Sequence, residues 1–226
     1  MEERSEEPPA PEIERAPAYS TKTLRACCLA PAIAVAAIFI FAVAAGLFSP
    51  RPRLPSGQRP QAQDLKRREA FVRFGREYFA IAARADEFNE KAFKELDALV
   101  RGNGSIGDVH TAFAEAGKAN ERASAEFKEL AVPPELLSQS KVRQSLDVIS
   151  EAYDLRRQAC DTIIGWNGDI QDSATAEKYQ QQAEEVNRLT MEGLRHLGNA
   201  AADNGITKDD ARKFLPLEDH FEGGGI

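Results

Sequence analysis

The sequence predicts an all-α protein, in which an N-terminal transmembrane helix is followed by an up-down four-helix bundle with long helices. Three observations carry this. Every residue from Ala26 to Phe48 is apolar or small. After position 64, apolar residues recur in steps of three and four, the spacing of a helix face. The connections between those stripes are short and hold glycine or paired proline, which places successive helices antiparallel. Period-two alternation, the mark of a half-buried strand, appears nowhere.

Residues 1–21 carry six glutamates among four prolines and offer little to bury, the composition of a disordered tail. Residues 24–48 form the predicted transmembrane helix, since the apolar run 26–48 reaches the roughly 20 residues that cross a bilayer. Arg25 before the run and Arg51 and Arg53 after it mark its ends. A cleaved signal peptide has a shorter apolar core, typically about 7 to 15 residues. Leu24 to Cys27 loosely matches a lipoprotein box, but such a box follows its hydrophobic region and this one precedes it. Palmitoylation of Cys27 and Cys28 stays open beside the simpler reading of two small membrane residues. Residues 49–63, with four prolines and three arginines by Pro60, make a stiff stalk.

The bundle domain spans 64–214. Its first helix, to about Arg101, presents Phe71, Phe74, Tyr78, Ile81, Ala85, Phe88, Ala92 and Leu99, with Glu95 interrupting the stripe. Gly102, Gly104 and Gly107 end it. Asp108 caps a second helix to about Leu130 bearing Val109, Ala112, Ala116, Ala119, Ala123, Phe127 and Leu130. Pro133 and Pro134 stop that helix and start the third, which presents Val142, Leu146, Ile149, Tyr153, Cys160 and Ile163. Asn167, Gly168 and Asp169 form a turn, and Asp172 or Ser173 caps the fourth helix with Ala176, Tyr179, Ala183, Val186, Leu189 and Leu197. Thr207 and Asp210 have capping-box spacing before a short helix to Phe214, and residues 215–226 form a flexible tail.

Charge and motifs narrow the function. A net charge of -7, concentrated after residue 60, argues against nucleic acid as a partner. Gly102 to Gly107 matches G-x-G-x-x-G, but a dinucleotide site needs a strand before that loop and a helix precedes it here. Asn103-Gly104-Ser105 is a glycosylation acceptor of a kind common by chance. No Glu-x-x-His pair offers the ligands of a bundle metal site, and His110, His196 and His220 lie far apart, although Glu192 could share a helix face with His196. The run Asp203-Asn204-Gly205 lacks the remaining ligands of a calcium loop. Cys160 falls on a buried stripe, where apolar surroundings leave a thiol inert. The sequence therefore predicts no metal, no cofactor and no catalytic residue.

Two charges stand on predicted inward faces and are the candidate ligand-binding residues. Arg156 lies between Tyr153 and Cys160, and Glu95 interrupts the first stripe. Either they line a pocket for a small anionic ligand, or the stripe drifts and both reach water.

The run Leu130-Ala131-Val132-Pro133-Pro134-Glu135-Leu136, followed by a helix bearing Tyr153, resembles uncharacterised bacterial single-pass proteins with an N-terminal anchor and an extracytoplasmic helical domain. It covers the middle third of the domain and carries over no functional residue. The resemblance implies a domain outside the cytoplasm. Against this, the basic residues Arg51, Arg53, Arg59, Lys66, Arg67 and Arg68 outnumber Arg15, Lys22 and Arg25, which favours the cytoplasm, although long domains cross largely regardless of charge. The expected function is a non-enzymatic interaction or scaffolding module at the cell envelope, anchored in the lipid bilayer through residues 26–48. Its protein partner is unknown, and a homodimer is one arrangement the heptad stripes allow. The alternative is a small-ligand sensor domain of bundle type.

Overall fold

A computed structural model describes residues 62–169 and 172–206. Four α-helices follow one another there: α1 (Ala62–Val100), α2 (Ile106–Glu129), α3 (Ser140–Ile164) and α4 (Ser173–Asp203). No strand occurs among the described residues. The expected tail 1–21, the expected membrane helix 24–48, nearly all of the expected stalk 49–63, the Thr207 capping box and the expected tail 215–226 lie outside them. No helix of the described residues is long and apolar enough to cross a membrane. The first helix starts at Ala62 and so takes the last two residues that composition assigns to the stalk.

Each helix packs chiefly on the next in the chain, whereas α1 and α4 make no comparably close backbone approach. Side-chain size explains the difference. On α4, Gly193 lets the α3 backbone in, so that a Cβ there would stand 3.4 Å from the Ile149 amide nitrogen. On α1, the large side chains Phe71, Phe74, Tyr78 and Phe79 share one buried cluster with Leu189, Leu194 and Leu197 of α4 and with Phe127, Leu136 and Leu146.

On α1 the predicted stripe holds through Phe71, Phe74, Tyr78, Ile81 and Ala85, all buried, and then shifts. Phe88 is 39% exposed, and Asn89, Ala92 and Leu96 carry the seam onward. A straight helix drifts about 20° per heptad against a strict seven-residue repeat, so two successive four-residue steps recentre the face. That moves Glu95 to its flank. The helix closes by a Schellman arrangement: the Gly102 and Asn103 amides donate to Leu99 and Ala98 carbonyls at 2.9 Å, with Gly102 at φ +78°.

The cap of α2 is Ser105 rather than Asp108. The Asp108 amide donates to the Ser105 hydroxyl oxygen at 3.1 Å, and that hydroxyl donates to the Asp108 carboxylate at 2.7 Å. Gly107 thus sits in the first turn of α2 and is not a helix breaker. Because α2 meets both α1 and α3, its buried face is wider than one stripe, adding Phe113, Gly117, Asn120 and Ser124, while Ala119 is half-buried.

The proline pair does not restart a helix directly. Pro134 opens a single 3-10 turn, Pro134–Leu136, which buries Leu136 completely before α3 begins at Ser140. All six residues of the predicted α3 stripe are buried. Asp172 caps α4 by accepting from the Thr175 amide at 3.2 Å. Tyr179, Val186, Leu189 and Leu197 are buried as expected, Ala183 is half-buried, and Ala176 is exposed. The strongest packing of α4 lies later, at Gly193, Leu194, Gly198, Ala200 and Ala201.

Candidate functional site

Among the described residues the core is two apolar clusters. One is built around Phe74, Phe127 and Leu197, the other around Phe113, Ile163 and Tyr179. Between them lies a polar layer of Asp86 and Asn89 from α1, Asn120 from α2 and Arg156 from α3, bordered by Tyr153 and Cys160.

Arg156 donates from Nη1 to Asp86 Oδ1 at 2.8 Å, and the two side chains are 13% and 21% exposed. Its guanidinium carbon lies 4.7 Å from the centre of the Tyr153 ring, a cation–π contact. Burial pushes the Asp86 carboxyl above the ordinary carboxylate range, and Arg156 pulls it only part of the way back. The Tyr153 phenol is raised by burial first and then by the negative charge of Asp86.

One helical turn on, Asn89 and Asn120 exchange amide hydrogen bonds at 3.0 and 2.9 Å. Asn89 also donates to the Ala85 carbonyl at 2.9 Å, and Asn120 Nδ2 lies 3.6 Å from Cys160 Sγ. With both amides buried, this reciprocal pairing satisfies groups that would otherwise cost about 1 to 3 kcal/mol each. Burial pushes the Cys160 thiol up to about 11, against the pull of Arg156, so it stays protonated at neutral pH.

The structure does not bring the two sequence-predicted ligand residues together. Arg156 pairs with Asp86, and Glu95 lies nine residues further along α1, about 13 Å along the axis. Glu95 is half-buried on the helix flank, where its charge contributes to raising the pKa of Lys91, whose main partner is Glu115 at 2.7 Å. His110 reaches the Trp166 carbonyl at 2.8 Å, and His196 stands 3.9 Å from Glu192. His220 lies outside the described residues, within which no cluster of potential metal ligands occurs.

Asp86, Asn89 and Asn120 escaped the sequence reading. A signal for the asparagines existed: Asn89 follows Ala85 by four, and Asn120 lies between Ala116 and Ala123, so both stand on seam positions. For Asp86 none existed, since it flanks the seam and is fixed only by the helix opposite. Comparison with protein-family models, curated proteins and solved structures finds no match for this chain.

Proposed function

We propose that the helical domain is an interaction module, held at a membrane by the apolar segment 26–48, which engages a protein partner at the cell envelope through its outer helix faces and performs no catalysis. The observation that supports this reading is how the interior polar groups are used. Arg156 is committed to Asp86 and the Tyr153 face, Asn89 to Asn120, and the Cys160 thiol is held protonated. What remains for recognition is the exterior, where Leu65, Phe88, Leu137 and Met191 are large apolar side chains 39 to 49% exposed.

A photo-cross-linking amino acid at Phe88 or Met191, introduced into the full chain in its own membrane, tests the idea. A discrete adduct is expected from at least one position and none from a control at buried Leu197. Silence at every exposed position would end it. Protease accessibility of the domain in intact cells, with digestion expected, separates the extracytoplasmic placement proposed here from the cytoplasmic one that the arginines favour.

A second reading, a small-anion sensor, draws on Arg156. Asp86 accepts one bond from a guanidinium that has five donors, so a carboxylate or phosphate ligand could bind beside Asp86 or displace it. If Arg156→Ala kept the thermal response of the wild type to small anions, that reading would fail.

A further inference from the structure

Three Asn-Gly pairs occur in the sequence, at Asn103-Gly104, Asn167-Gly168 and Asn204-Gly205. Each sits in a connection beyond a helix end. This dipeptide deamidates most readily, because glycine leaves its own backbone nitrogen unshielded. Two of the three have their side chains held by hydrogen bonds, although Asn167 is as exposed as Asn103.

Asn204 donates to the Ala200 carbonyl at 2.7 Å and exchanges amide bonds with Gln139, both at 2.8 Å. Asn167 accepts from the Asp169 amide at 2.9 Å, in a loop pinned by the Trp166 indole on the Asp169 carbonyl and by His110 on the Trp166 carbonyl. Asn103 is exposed, and its side chain makes no hydrogen bond with the described residues. Its glycine is nonetheless required by the fold, since a Cβ on Gly104 would stand 2.8 Å from the Leu99 amide nitrogen. The turn thus retains a reactive dipeptide for a packing reason.

We propose that Asn103 is a site of spontaneous modification, at which the side-chain amide converts to aspartate and isoaspartate. The Gly104 nitrogen loses its proton and attacks Asn103 Cγ. The N–Cγ bond forms, the Cγ–Nδ2 bond breaks, and Nδ2 leaves as ammonia. Water then opens the succinimide at either carbonyl, so the net reaction is amide plus water to carboxylate plus ammonium. The new charge lies between the C-terminal end of α1, which disfavours an anion, and the N-terminus of α2, which favours one, so the two helix ends oppose each other there.

The experiment incubates the full chain in mild detergent and mildly alkaline buffer, with and without urea, and follows each Asn-Gly peptide by mass spectrometry. Where local structure must open first, reaction slows by the opening equilibrium, so conversion at Asn103 is expected to be roughly tenfold faster than at Asn167 or Asn204 in the native chain. In urea the three rates should converge. Equal native rates, faster loss at either other site, or no conversion at Asn103 would overturn the proposal. The same preference for Asn103 persisting in urea would overturn it too, since the selectivity would then owe nothing to the fold.

Discussion

At the scale of single residues, the Arg156–Asp86 pair decides more than its two charges suggest. Removing one partner of a buried pair leaves the other charge unpaired in a poorly hydrated site, which commonly costs about 3 to 5 kcal/mol. Both side chains here retain some exposure, so Asp86→Ala should cost less, about 2 to 3 kcal/mol in urea unfolding. The double variant Asp86→Leu with Arg156→Met should lose at least about 1 kcal/mol less than the two single changes combined. The pH dependence follows from the raised Asp86 pKa. Between its unfolded value and its higher folded value the native state binds more protons than the unfolded chain, so this group adds stability as pH falls through that window and loses it as pH rises. The stability difference between wild type and Asp86→Asn should therefore shrink as pH rises through the folded pKa, and a flat difference across the carboxylate range would contradict the assignment.

Whole helices are specified by small and polar residues in their seams. Asn120→Ala leaves the Asn89 carbonyl oxygen without a donor in the core, its Nδ2 keeping only the Ala85 carbonyl, and should cost about 1 to 3 kcal/mol. Replacing both asparagines with leucine should be nearly neutral in stability while raising amide exchange along α1, because the pair's directional bonds hold one register of α1 against α2. The glycines divide in the same way. A Cβ on Gly117 meets only the Cys160 Cβ at 3.5 Å, an ordinary contact, so Gly117→Ala should stabilise the fold by about 0.5 to 1 kcal/mol through helix propensity. A Cβ on Gly193 would stand 3.4 Å from the Ile149 amide nitrogen and 3.5 Å from the Ser145 carbonyl oxygen, and Gly193→Val should cost at least about 2 kcal/mol by forcing α3 and α4 apart. Thermal melts of the two variants shifting the same way would refute this division.

For the molecule as a whole, the wide seam between α1 and α4 is the property that bears on assembly. Heptad stripes serve equally well within one chain or between two. In this fold Phe71, Phe74 and Tyr78 are covered by the chain's own α3 and α4, and the Tyr78 hydroxyl accepts a bond from Ser145 of α3 at 3.3 Å. Light scattering on residues 61–226 is accordingly expected to give a monomer across concentration. A concentration-dependent dimer would mean that α1 instead pairs with a second copy.

The four helices of the described residues, their approximate spans, the start of the last one at Asp172 or Ser173 and the complete α3 stripe were all legible in the sequence, because each rests on local periodicity or on the hydrogen bonding of a few adjacent residues. Polarity at Asn89 and Asn120 is equally plain in the sequence, but a strict heptad puts Phe88 on the seam in place of Asn89. The partner of Arg156 could not be read at all. Asp86 lies 70 positions away, beside its stripe rather than on it, and which flanking residue meets an inward charge depends on how far two helices have drifted and how closely they approach. Those distances are set by the aromatic side chains of α1 and by Gly193, acting through the packed bundle. Sequence thus determined which faces turn inward; tertiary packing decided which polar groups meet there.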